Sequence, residues 1–191
     1  GHALAEHAVR VPRPASVYGV SKLAATLLVQ AFASKLSLPA VVLRPFQVYG
    51  PTELPHRLIP HIVRCAKSGA PLELNTPQAR RDWIYVEDVA AALDVASVSS
   101  CWGKVMDIGT GVTTTVADVA AMVFELMGVP WCDVDGVLGG RQARGENSGD
   151  ASLSGAADVR AAESVFAWHA EHTLLEGLRE TVEWHRQQGW A

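Results

Sequence analysis

Tyr18 and Lys22 stand four residues apart in Ser16-Val17-Tyr18-Gly19-Val20-Ser21-Lys22, a spacing that puts a phenol and an ammonium side by side on one face of a helix. Such a pair suits proton transfer at an alcohol, because the cation favours the phenolate that would accept the hydroxyl proton. Ionising a phenol at neutral pH costs about 4 kcal/mol. A cation about 4 Å away, at an effective dielectric near 20, returns roughly that amount before desolvation is counted. The competing reading is a surface pair with the lysine stem packed on the ring. With 3 Tyr and 4 Lys in the chain, the spacing arises by chance with a probability of about 0.06, so the surrounding elements have to carry the case.

Pro12 and Pro14 keep the approach extended, Ser16 can cap, and the residue pattern predicts a helix from Ser16 to Lys35. Apolar residues occur almost all round it, including Val17, Val20, Leu23, Leu27, Leu28 and Phe32 on one side and Ala25, Val29 and Ala33 on the other. Such a helix is expected to be covered on two sides. Pro39 introduces Ala40-Val41-Val42-Leu43, a continuous apolar run of the kind found in strands buried on both faces of a parallel sheet, ended by Pro45. Further on, helix and strand signals alternate. A helix is predicted over 58–67, strands over 72–74 and 83–86, and a helix over 87–98. Then come a strand over 105–108, a helix over 115–127 closed by Gly128 and Pro130, and an amphipathic helix over 171–186. The pattern is α/β. Residues 135–155 are Gly-rich and polar and read as a loop that could close over a ligand.

Composition removes several function classes. The 191 residues are 49% hydrophobic and 19% charged, ample for a core, and the net charge of −4 comes from basic and acidic residues mixed along the chain. No basic stripe exists to meet nucleic acid. Cys65, Cys101 and Cys132 are odd in number and unpaired in spacing, which fits free thiols in a reducing cytoplasm. The apolar runs are interrupted, so no membrane span is expected. His56 and His61, and His169 and His172, lack a convincing ligand register, and no metal site is read from them. Hydrolase-elbow and P-loop patterns do not occur.

The Tyr18/Lys22 segment is followed by Leu43-Arg44-Pro45-Phe46-Gln47-Val48-Tyr49-Gly50-Pro51 and by Arg81-Asp82-Trp83-Ile84-Tyr85-Val86-Glu87-Asp88-Val89-Ala90. The latter resembles an Arg-Asp-Phe-x-x-Val-Asp-Asp-Val pattern. Asp107-Ile108-Gly109-Thr110-Gly111 and Glu176-Gly177-Leu178-Arg179-Glu180-Thr181-Val182-Glu183-Trp184 complete the series. In this order, over nearly the whole chain, the segments resemble the extended short-chain dehydrogenase/reductase family, the NAD-dependent sugar-nucleotide epimerases and dehydratases. The resemblance implies a Rossmann-like parallel sheet with a small α+β substrate lobe: residues 1–130 as the catalytic domain with interleaved lobe segments, and 131–191 as mainly the lobe and closing helix.

It also implies roles. Tyr18 would take a proton from a sugar hydroxyl as hydride leaves for the nicotinamide of NAD or NADP, and Lys22 would hold the nicotinamide ribose. The positive charge of an oxidised nicotinamide would strengthen the base further. Pro45, Phe46 and Val48 would pass along the cofactor, and Gln47 would contact the nucleotide-sugar substrate where the family often has Asn. Arg81 stands at the position that reaches the diphosphate, with Arg80 as a rival and Asp82 or Glu87 as alternative partners. Arg144-Gly145-Glu146 is similar to the family's Arg-x-Gly-Glu but one residue short, making Arg144 a candidate second diphosphate arginine. In the family the Tyr/Lys helix packs against a partner subunit, which implies a homodimer through residues 16–35.

The family's opening strand, its Gly-x-x-Gly-x-x-Gly turn and the strand with a third catalytic hydroxyl find no counterpart. Gly109-x-Gly111 is a decoy, since Thr114 stands where a third glycine would fall. The chain therefore reads as the C-terminal portion of such an enzyme, inactive without a complementing N-terminal half. The alternative is a truncated, non-catalytic homologue that serves as a binding or oligomerisation module.

Overall fold

The fold follows from where short apolar runs meet capped helices. The computed structural model describes residues 16–130 and 155–188; Arg144 and residues 135–154 of the Gly-rich stretch lie outside them. The elements are α1 (Val17–Leu36), β1 (Val42–Pro45), β2 (Gln47–Tyr49), α2 (Leu58–Ser68), β3 (Arg80–Tyr85) and α3 (Val86–Ser97). They continue with β4 (Val105–Ile108), β5 (Thr113–Thr115), α4 (Val116–Met127), α5 (Arg160–Phe166) and α6 (Leu174–Gln187). This is the α/β fold with parallel strands that the alternation predicts.

Local chemistry sets the helix ends. Ser16 Oγ accepts the Gly19 N–H at 3.1 Å to start α1, and Thr115 Oγ1 accepts the Asp118 N–H at 3.0 Å to start α4. At α6, Thr173 and Glu176 form a reciprocal capping box. Gly128 ends α4 at φ 72°, a left-handed conformation that favours glycine.

One extended stretch serves two strand partners. β1 runs parallel to β4, from Val42 opposite Val105 to Pro45 opposite Ile108. After a break at Phe46, the chain resumes as β2 parallel to β3, from Gln47 opposite Trp83 to Tyr49 opposite Tyr85. Phe46 N–H still donates to Ile108 O at 2.9 Å; one residue later the chain has changed neighbours. β3 is also paired antiparallel with β5.

Because successive strand residues face opposite sides, β3 feeds two cores. Trp83 and Tyr85 join α2, α4 and α6 in one cluster with Tyr49, Ile62, Val123 and Leu178. Ile84 joins Met106, Ile108, Ala92 and Phe166 in the other. Gly177 of α6 is needed for this packing, since a Cβ there would overlap the Tyr49 hydroxyl and the Tyr85 ring.

The strand expected over 72–74 does not form: among the described residues that segment pairs with no other strand. Leu72 and Leu74 are nevertheless buried. Their alternation reflects an extended segment lying over the first core, and burial on one side does not by itself demand a ladder.

Two buried aspartates join the layers. Asp82 accepts the N–H groups of Thr110, Gly111 and Ala157, each at 2.9 Å, and the Thr110 hydroxyl at 2.8 Å. Asp88 accepts His172 Nδ1 at 2.9 Å, the Glu171 N–H at 3.1 Å and the His172 N–H at 3.3 Å. Both belong to the Arg81–Ala90 segment that resembles the family's Arg-Asp-Phe-x-x-Val-Asp-Asp-Val pattern, and both work in folding.

Asp88 also gives stability a pH dependence. Its hydrogen bond to His172 raises that imidazole above the ordinary histidine value, against a smaller opposing effect of burial. A raised value means stabilisation that is complete below about pH 6.5 and lost as pH rises through the folded-state value. Burial pushes His185 the opposite way, so its contribution is present above about pH 6.5 and is lost as pH falls. Thermal unfolding in EDTA between pH 6.5 and 8.5 is therefore expected to show a falling melting temperature that flattens in His172→Gln. An identical slope in the variant would remove Asp88–His172 as its cause.

Candidate active site

The helical spacing does bring the predicted pair together. Lys22 Nζ lies 5.4 Å from the centroid of the Tyr18 ring, one turn along α1. Hydroxyls of the same helix bond back to its carbonyls: Ser21 Oγ donates to Tyr18 O at 2.8 Å and Thr26 Oγ1 to Lys22 O at 3.0 Å. The cation sits over the ring, within reach of a cation–π attraction.

Of the chain's 3 tyrosines, only Tyr18 has a phenol at liberty among the described residues. Tyr49 OH donates to Leu174 O at 3.2 Å and Tyr85 OH to Glu180 Oε2 at 2.9 Å. Burial, with nearby carboxylates second, drives both of those phenols further from ionisation. They are structural donors. Tyr18 is 71% exposed, so the described residues leave its hydroxyl accessible without enclosing it.

The same holds for all of α1. None of its residues is buried, and among the described residues a side-chain hydrogen bond joins it to the body where Gln30 Nε2 donates to Gly103 O at 3.4 Å. The expected cover on two sides is not supplied by the described residues. By length and composition α1 is the one described helix that could cross a membrane.

Pro45, Phe46, Gln47 and Val48 occupy the point where β1 gives way to β2. The carboxyl ends of parallel β1 and β4 lie together there, and in open α/β sheets the crevice outside such ends, where strand neighbours change, is the ligand position. Pro45 is exposed and Phe46, Gln47 and Val48 are half-buried.

Arg80 and Arg81 are separated by their contacts. Arg80 donates through Nε to Thr113 Oγ1 at 2.9 Å and through Nη2 to Thr113 O at 2.5 Å, which fixes it on β5. Arg81 makes one long bond, Nη1 to Arg80 O at 3.3 Å. Asp82 is turned inward and saturated, so it is not the partner of Arg81.

Gly109 and Gly111 make no phosphate cradle. The Thr110 and Gly111 N–H groups, which would have to point at a pyrophosphate, point at Asp82 instead. A Cβ on Gly109 would fall 2.5 Å from Ala157 Cβ and 2.7 Å from Asp82 Oδ2, so glycine is there to let the carboxylate in. Sequence reasoning missed this role for Asp82, whose partners lie far away along the chain.

Comparison with known proteins agrees with the fold and the motif order. The family model described as NAD dependent epimerase/dehydratase family matches residues 4–109. A trifunctional UDP-glucose 4,6-dehydratase/UDP-4-keto-6-deoxy-D-glucose 3,5-epimerase/UDP-4-keto-L-rhamnose-reductase of Arabidopsis thaliana is 31% identical over 175 residues, covering 91% of this chain and 25% of its own length. The crystal structure of MoeE5 in complex with UDP-glucuronic acid and NAD superposes with a TM-score of 0.77 at 36% identity, over 93% of this chain and 57% of MoeE5. UDP-glucose 4-epimerase with UDP-glucose from Thermotoga maritima gives a TM-score of 0.82 at 27% identity, over 94% of this chain and 56% of the epimerase. The chain thus spans between a quarter and somewhat over half of these relatives. α1 lies inside the matched segment. With more than half its length matched, in the order Tyr/Lys helix, parallel strands and buried aspartates, this chain belongs to the NAD dependent epimerase/dehydratase family.

Proposed function

We propose that this chain carries the proton-transfer and substrate-facing part of a sugar-nucleotide enzyme, an epimerase, dehydratase or 4-ketoreductase that works with NAD or NADP. The observation that supports this best is the isolation of Tyr18: it is the one described tyrosine whose hydroxyl is unengaged, and it is the one with an ammonium beside it.

The described residues fit one end of a dinucleotide. Tyr18 and Lys22 would hold the nicotinamide ribose, and Pro45, Phe46 and Val48 would line its approach, whereas the Gly109–Gly111 turn is closed to a pyrophosphate by Asp82. When bound, a nicotinamide accepts a hydride from a sugar carbon and can return it. On the protein side, Tyr18 Oη takes the proton of the adjacent sugar hydroxyl, and Lys22 keeps the resulting phenolate favourable by its charge. Gln47 offers an amide to the sugar and Arg81 a planar fork to the diphosphate, with Arg144 as a second cation there.

In this reading residues 1–130 belong to the catalytic domain with interleaved lobe segments and 131–191 mainly to the substrate lobe. The pyrophosphate is held by residues other than those described, on a complementing N-terminal half. α1, with no buried residue, supports assembly with a second copy through residues 16–35. The free thiols of Cys65 and Cys101 support a reducing, cytoplasmic setting. The exposure of α1 is also what favours the second reading, a non-catalytic binding or oligomerisation module.

Incubation of the protein, with its dinucleotide-binding half present, with UDP-glucose or dTDP-glucose and NAD is expected to yield an epimerised or 4-keto product by NMR. Arg81→Ala is expected to raise KM for the nucleotide sugar about tenfold or more, and Arg80→Ala to change it less than about threefold. Absence of both turnover and nucleotide-sugar binding would leave the module as the surviving reading.

A further inference from the structure

Three carboxylates and one imidazole converge where β3, α3 and α6 meet, on residues that the proton-transfer chemistry does not use. Glu87 is in the first turn of α3 and Glu180 is on α6, both exposed, while His172 is half-buried just before α6. One ligand atom from each of the three lies within 4.8 Å of the others. Behind them, Asp88, with its side chain only 4% exposed, holds His172 Nδ1 at 2.9 Å. Tyr85, whose ring centre is 4.8 Å from that of His172, donates its hydroxyl to Glu180 Oε2 at 2.9 Å.

Two features set this group apart from an ordinary acidic patch. The imidazole is fixed through Nδ1 by a buried carboxylate that is not one of the three candidate ligands, which is how metal-binding histidines are oriented and made more basic. No Lys or Arg among the described residues is ion-paired with Glu87, Asp88 or Glu180 either, so His172 is the one basic side chain engaged with them among the described residues.

We propose that Glu87, His172 and Glu180 bind a divalent transition-metal cation of the zinc class, through His172 Nε2 and one oxygen of each glutamate. A nitrogen ligand together with carboxylates selects zinc, cobalt, nickel or manganese over the alkaline-earth cations, which prefer all-oxygen sites. With ligands on α3, on the segment before α6 and on α6 itself, the ion would tie the closing helix to the sheet. Its role is structural and independent of the proposed function. His172 gives no ligand signal in the sequence because Glu87 is far from it along the chain and Glu180, eight residues on, stands in no recognised ligand spacing.

The test is titration of the EDTA-treated full chain with Co(II) chloride. The expected result is one saturating equivalent, visible absorption of low-coordinate cobalt, and a melting temperature higher by about 5 °C at saturation. All three are expected to be lost in Glu87→Gln/Glu180→Gln, whose exposed positions should leave the metal-free melting temperature within about 2 °C of the parent. Absence of a saturable equivalent, or the same binding in the double variant, overturns the proposal. Should the double variant not fold, Glu87→Gln alone is expected to weaken Co(II) binding at least tenfold, and unchanged affinity is equally fatal.

Discussion

Tyr18→Phe is expected to lower turnover of the nucleotide sugar by about 10³-fold while leaving its affinity within about threefold, because the substitution removes a proton acceptor and little else. Phe keeps the ring, and therefore the face over which Lys22 Nζ lies at 5.4 Å from the centroid. The Tyr18 hydroxyl takes part in no recorded hydrogen bond among the described residues, so its loss orphans no buried group and stability should hold. Neither Tyr49 nor Tyr85 can substitute: each hydroxyl is committed to a structural acceptor. Turnover and affinity must be measured separately, by single-turnover product formation and by nucleotide-sugar titration. Retained turnover would place the base elsewhere. A parallel loss of affinity would make Tyr18 a binding residue.

The helices were legible where caps or apolar spacing marked them. α1, α2, α3, α4 and α6 lie within about three residues of their predicted ends; Ser16, Thr115 and Thr173 cap α1, α4 and α6 as their types require, while α2 and α3 have no side-chain cap and were legible from apolar spacing. β2 and β5 were not legible, being three residues each and defined by their partners rather than by any pattern of their own. α5, seven residues without a side-chain cap, gave no signal for the same reason. Leu72-Glu73-Leu74 misled in the opposite direction: it has a strand's alternation and no strand's pairing.

The candidate site divides along the same line. Tyr18 and Lys22 were legible because four residues of helix is a local geometry. The different contacts of Arg80 and Arg81 were not, since Arg80 is held by Thr113, which only β3–β5 pairing brings alongside. The fully apolar circumference of α1 announced a covered helix, and what covers it is not among the described residues. The resemblance pointed to the Arg81–Ala90 segment as a unit, yet within it Asp82 and Asp88 turn inward to hold the chain while Arg81 stays half-buried and Glu87 exposed.

That division makes Asp82 the residue whose loss should cost the fold most. Its carboxylate, 1% exposed, is the common acceptor for the N–H groups of Thr110, Gly111 and Ala157 and for the Thr110 hydroxyl. It joins β3 to the turn after β4 and to the segment that leads into α5. Asp82→Ala strands three backbone donors at part-buried or buried positions, each worth about 1–3 kcal/mol when left unmade. Allowing for solvent reaching some of them, about 4 kcal/mol is expected, or a melting temperature lower by about 10 °C. Asp82→Asn preserves shape but exchanges one acceptor for an NH₂ that faces another donor, so it should fall between wild type and Ala. If both variants melt within about 2 °C of the parent, the turn at Gly109–Gly111 is held by something other than this carboxylate, and the argument that Asp82 excludes a pyrophosphate from it fails with the same measurement.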